Sequence, residues 1–83
     1  MNLLYFAWLR QKLGKSEEIM ALPPGVADVR GLLTHLRALG ADYAEAFGDE
    51  SRIRAAVNQR HAGFDQKIAD SDEIAFFPPV TGG

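Results

Sequence analysis

An 83-residue chain with nine Lys plus Arg against eleven Asp plus Glu carries a formal charge of −2, and its basic residues scatter from Arg10 to Lys67 without forming a block. This length suits one domain, and the scatter excludes the basic patch of a nucleic-acid binder. With 47% hydrophobic and 24% charged residues the composition is that of an ordinary folded chain, and the lack of cysteine excludes disulfide staples, a thiolate nucleophile and thiolate metal ligands.

No apolar run approaches the ~18 residues of a membrane span, and the N-terminus lacks the charged-then-apolar layout of a signal peptide. The expectation is a soluble cytoplasmic protein that engages neither nucleic acid nor membrane.

In chain order, residues 2–8 (NLLYFAW) form an apolar run with three aromatics and predict a first strand. Polar Asn2 sets its phase: Leu3, Tyr5 and Ala7 face the core, while Asn2, Leu4 and Phe6 face outward. WLRQKLG reads as a short helix stopped at Gly14. Glu17 to Leu22 has room for a second strand, paired with the first as a hairpin-like unit and ended by Pro23-Pro24-Gly25.

From Asp28, a candidate N-cap, Val29, Leu32, Leu33, Leu36 and Leu39 recur at helical spacing until Gly40 and predict the main helix. Tyr43 and Phe47 suit a short helical turn, followed by a loop at residues 48–51. Ile53, Ala55 and Val57 alternate with Arg52, Arg54 and Ala56, the period of a half-buried strand. His61-Ala62-Gly63 is a turn candidate, Phe64 and Ile68 are candidate core plugs, and Asp70-Ser71-Asp72 is a second turn. Glu73 to Phe77 forms the last strand, with Ile74 and Phe76 on one face and Ala75 and Phe77 on the other. One long helix over a sheet of four to five strands is a two-layer α+β fold.

The end of the chain is the unusual part. Pro78 and Pro79 end strand pairing, so the chain beyond must leave the sheet. Val80 to Gly83 reach about 13 Å when extended, enough to enter a partner's pocket while the body stays outside. Gly82 and Gly83 lack Cβ and pass a channel that side chains would block. Such a tip presents its α-carboxylate, a poor electrophile until a good leaving group such as AMP is joined to its oxygen. A sulfur or amine nucleophile then takes the carbonyl carbon.

The run Asp70-x-Asp72-Glu73-x-Ala75-Phe76-Phe77-Pro78-Pro79-Val80-Thr81-Gly82-Gly83, with Phe6-Ala7-x-x-Arg10-x-x-x-Gly14 and Ala55-Ala56-Val57-Asn58-Gln59 upstream, resembles the small-subunit family of molybdopterin synthase, which are ubiquitin-like sulfur carriers. The resemblance covers essentially the whole chain. It implies a single β-grasp domain over residues 1–83, of which 78–83 is a flexible tail. It also implies a cycle in which a ubiquitin-activating-type adenylyltransferase uses ATP and magnesium to adenylate Gly83, and a sulfurtransferase replaces the adenylate with sulfur. Within the large subunit of the synthase the thiocarboxylate then converts cyclic pyranopterin monophosphate to the dithiolene of molybdopterin, two small subunits flanking a dimer of large ones. No cofactor is expected on this chain itself.

Gly83 is thus the attachment point, with Val80, Thr81 and Gly82 guiding it into the partner. Phe6 and Phe77, outward in the assigned phase, make a candidate partner-binding surface with His61, Pro78 and Pro79; His61 falls where relatives can carry an apolar residue. Arg10 and Lys67 read as surface charge, and the acidic pairs near Asp49 and Asp70 as solvated turns. No nucleophile, base and oxyanion set assembles, so catalytic groups are expected on the large subunit. Two alternatives stand beside this reading: a ubiquitin-like modifier joined to target lysines, and a sulfur carrier for thiamin thiazole formation.

Overall fold

The computed structural model describes residues 1–79. Its strands are β1 (Asn2–Tyr5), β2 (Glu17–Ile19), β3 (Arg54–Val57), β4 (Arg60–Ala62) and β5 (Glu73–Phe77), and its helices α1 (Trp8–Leu13), α2 (Val29–Arg37) and α3 (Ala41–Ala46), with a 3-10 turn at Glu50–Arg52. The sheet order is β2-β1-β5-β3-β4. β1 and β5 pair in parallel at its centre, and the other neighbours are antiparallel. This mixed sheet with α2 packed on one face is the expected β-grasp architecture.

Strand alternation sets the two faces. Leu3, Tyr5, Ile53, Ala55, Ile74 and Phe76 are buried with Val29, Leu32, Leu33 and Leu36 of α2 in one cluster. Each large aliphatic side chain so buried contributes about 1.5–3 kcal/mol. At one end of the cluster Tyr5, Phe47 and Phe76 form an aromatic trio, Phe47 and Phe76 meeting edge to face at 5.2 Å between centroids.

α2 begins as expected: the Asp28 carboxylate accepts the Gly31 N–H at 2.8 Å, one of the orphan donors of a helix start. Two more, on Val29 and Arg30, donate to the carbonyls of Gln66 and Phe64. That tie holds residues 64–68 against the helix and seats Ile68 in the core and Phe64 against it.

Several boundaries differ from the sequence expectation. β1 ends at Tyr5, and Ala7 is exposed rather than in the core, because the chain turns into α1 there with Ala7 at φ 56°. β2 stops at Ile19, which is exposed. Its last ladder bond, Met20 N–H to the Met1 carbonyl, exhausts the partner strand. α2 ends at Arg37, leaving Leu39 exposed. The turn expected around His61 lies earlier, at Asn58 and Gln59, both at positive φ; His61 is instead in β4. Asn58 is held there because its amide donates to Asp72 at 3.0 Å while its carbonyl accepts the Glu73 N–H at 3.0 Å.

Two carboxylates join distant elements, one of them, Glu50, in a turn whose acidic residues the sequence assigns to solvent. Glu50 accepts from Arg30 at 2.6 Å and Arg37 at 3.1 Å, so it ties α2 to the 3-10 turn. Glu18 accepts from the hydroxyls of Tyr5 and Tyr43, each at 2.9 Å, with Lys15 at 3.4 Å. Burial alone would push the Glu18 carboxyl up, but the two hydroxyls and the ammonium outweigh it and hold it below its ordinary value. Burial, with Glu18 as acceptor, pushes the Tyr5 phenol up, so it stays a donor.

A carboxyl held low in the folded state contributes stability that is complete above the ordinary value of about 4.3 and is lost as pH falls through the lower folded value. Glu18→Gln is therefore expected to cost about 1–2 kcal/mol at neutral pH. Thermal melts across the pH range should show that gap holding down to about pH 5 and closing below about pH 4.

Candidate functional site

Parallel pairing of β1 with β5 brings the two strands to the same end of the sheet. Tyr5 lies beside Phe76 in the register, and the Phe6 N–H donates to the Phe76 carbonyl at 3.1 Å. Where β5 releases the chain into Pro78 and Pro79, Phe6 therefore stands next to Phe77. Phe6 is 47% exposed; Phe77, Pro78 and Pro79 are half-buried.

Ala7 enforces this placement. Its φ of 56° with ψ of −131° lies in a region that L side chains rarely adopt and costs about 1–3 kcal/mol. The turn closes with the Leu9 N–H on the Phe6 carbonyl at 3.2 Å, sending Leu9 into the core and leaving Phe6 outside.

The register assembles the rest of the outer face. Leu4, Ala75, Ala56 and His61 form one row across β1, β5, β3 and β4, and Phe77 lies opposite Arg54 in the next. The His61 ring meets Phe77 edge-on, with centroids 5.3 Å apart at 84°. The structure thus brings His61 and Phe77 together on this face, with Phe6 following β1 and Pro78 and Pro79 following β5 at the same end of the sheet, while Val80, Thr81, Gly82 and Gly83 lie outside the described residues. Beneath this face the Tyr5–Phe47–Phe76 trio fills the core, backing the ends of both central strands with rigid side chains.

Arg54 was not singled out from the sequence as a site residue. Its outward phase follows from strand alternation, but its place opposite Phe77 depends on the register. Among the described residues no cluster of three or more His, Asp or Glu side chains is arranged to hold a metal ion. No helix among them is long and apolar enough to cross a membrane.

A β-grasp domain whose last strand leads into a Pro-Pro-Val-Thr-Gly-Gly run has the form of a ubiquitin-like carrier. The chain belongs to the ThiS family, whose model matches residues 3–83.

A molybdopterin synthase sulfur carrier subunit of Escherichia coli (strain K12) is 40% identical over 84 residues, spanning 100% of this chain and 99% of the relative. The subunit of that name from Haemophilus influenzae is 34% identical over 83 residues, spanning 100% and 99%. Among solved structures, a putative molybdopterin converting factor subunit 1 from Pyrococcus furiosus aligns with a TM-score of 0.74 at 33% identity over 95% of each chain. The small archaeal modifier protein 1 from Methanosarcina acetivorans aligns at 0.69 and 28% identity, covering 99% of this chain and 94% of that one.

Buried Phe76 of β5 and exposed Phe6 after β1 differ in their part in stability. Phe76→Ala, in the core, is expected to cost about 3–5 kcal/mol. Phe6→Ser should leave the thermal midpoint within a few degrees of wild type, because about half of that ring already meets water. Parallel thermal melts of the two variants check this assignment.

Proposed function

We propose that this chain is the sulfur carrier subunit of a molybdopterin synthase. The observation that carries the reading is the joining of a Val-Thr-Gly-Gly ending to an apolar face at its root, in a chain similar from end to end to the E. coli and H. influenzae sulfur carrier subunits.

In this reading the face formed by Phe6, His61, Phe77, Pro78 and Pro79 docks on the large subunit, and Val80 to Gly83 thread into its active site. The large subunit supplies the catalytic groups, in a heterotetramer with two small subunits. A ubiquitin-activating-type adenylyltransferase, using ATP and magnesium in its own site, first joins the Gly83 carboxylate to AMP. Sulfur delivered by a sulfurtransferase takes the carbonyl carbon as AMP leaves. The resulting thiocarboxylate donates its sulfur to cyclic pyranopterin monophosphate, and two transfers complete the dithiolene. The chain is then a recharged reagent, binding no cofactor of its own and working in the cytoplasm.

Gly82 and Gly83 serve this cycle because a side chain at either position would obstruct a channel fitted to bare backbone. The Phe6 and Phe77 rings supply the desolvated apolar contact that anchors an interface.

The similarity to the M. acetivorans modifier protein favours a second reading, in which the activated terminus is passed to target lysines. One experiment separates the two. The chain is incubated with its host's extract, ATP and a sulfur source, then weighed intact beside a Gly83-deleted control. A gain equal to one oxygen-for-sulfur exchange, mapped to the C-terminal peptide and absent from the control, is expected. Protein conjugates without that exchange would transfer the assignment to a modifier. Gly83→Ala should keep the wild-type melting curve and sharply reduce sulfur transfer; full transfer would refute the channel argument.

A further inference from the structure

The outer face of the sheet is apolar at Leu4, Ala56, Ala75 and Phe77, yet a cation stands among them. Arg54 lies directly opposite Phe77 in the β3–β5 register and is exposed. Its Nη1 donates to the neighbouring Ile53 carbonyl at 2.9 Å, and among the described residues it forms no ion pair. Arg10, Arg60 and Lys67 likewise form no ion pair among the described residues, whereas Arg30 and Arg37 are engaged with Glu50, Lys15 with Glu18, and Lys12 with Glu45. Arg52, two positions earlier, lies 4.6 Å over the Trp8 ring.

A partner that encloses the tail must also cover the point where β5 releases it, and that point is bounded by Phe77 and Arg54. Taking a guanidinium out of water with most of its N–H donors unmatched costs more than the surrounding apolar contact returns. The covering surface must therefore bring an acceptor. A carboxylate fits best, because the planar fork of arginine matches it with two parallel hydrogen bonds.

We propose that Arg54 is a specificity-determining residue of the docking face, held by an acidic side chain that the large subunit places beside the mouth of its tail channel. The inference rests on the sulfur-carrier reading and deepens it. The apolar rings then supply contact area, while Arg54 sets orientation and rejects surfaces that lack the matching charge.

The test is calorimetric titration of the full chain into the large subunit at low and at physiological salt, with Arg54→Leu, Arg54→Lys and Arg54→Glu. Arg54→Leu is expected to weaken binding about 10-fold at low salt and to flatten its salt dependence. Arg54→Glu should weaken it about 100-fold, and Arg54→Lys should fall between wild type and leucine, keeping the charge without the fork. Thermal midpoints close to wild type show that the effect lies in docking rather than folding. Wild-type binding with an Arg54→Leu variant that binds equally well or better overturns this inference alone. A wild-type chain that fails to bind the large subunit overturns it together with the sulfur-carrier reading.

Discussion

The parallel ladder between β1 and β5 is the constraint on which the rest of the molecule depends. It joins the first and last strands at the centre of the sheet, so the hydrophobic faces of both must be sealed by α2 and by the Tyr5–Phe47–Phe76 trio. The same ladder sets Phe6 beside the end of β5, where Phe77 leads into Pro78 and Pro79. Core and outer face are two sides of one pairing: Leu3, Tyr5, Ile74 and Phe76 look inward, and the alternate residues look outward. A shift of one residue in this register would exchange the two sets and remove both the core and the face.

Polar side chains finish what the apolar core begins. Glu18 gathers Tyr5, Tyr43 and Lys15 and so joins the edge strand β2 to the core and to α3. Glu50 does the same between α2 and the 3-10 turn, and Asn58 with Asp72 locks the β3–β4 turn to the start of β5. Each lies at the margin of the core, where a hydrogen-bonded carboxylate or amide keeps partial contact with water. No charged side chain is buried among the described residues. Specific geometry is thereby obtained without the desolvation cost of a buried ion pair.

Local chemistry explains which parts were legible in the sequence. The main helix was visible because its cap and its leucine spacing are both local, and β5 because apolar residues fill both of its faces up to a double proline. The outward phase of Phe77 followed from strand alternation, whereas Phe6, expected outward on the same ground, lies past the end of β1 and is exposed through the turn at Ala7. β4 was missed because Arg60–Ala62 is a three-residue edge strand, and its turn at Asn58-Gln59 lacks the glycine that usually signals such a hairpin. Nothing in alanine announces the positive φ at Ala7. The partners of Glu18 and Glu50, and the place of Arg54 opposite Phe77, are set by register and packing between elements far apart in sequence, which residue spacing cannot encode.

The central position of β5 also has a mechanical consequence. A partner that draws on the chain at Pro79 pulls this strand along its own axis, while β1 and β3 grip it on either side. Force in that direction loads the rungs of both ladders in shear and shares the strain among them, instead of peeling them one at a time. The body of the domain can therefore bear tension applied at Pro79 while its fold stays closed.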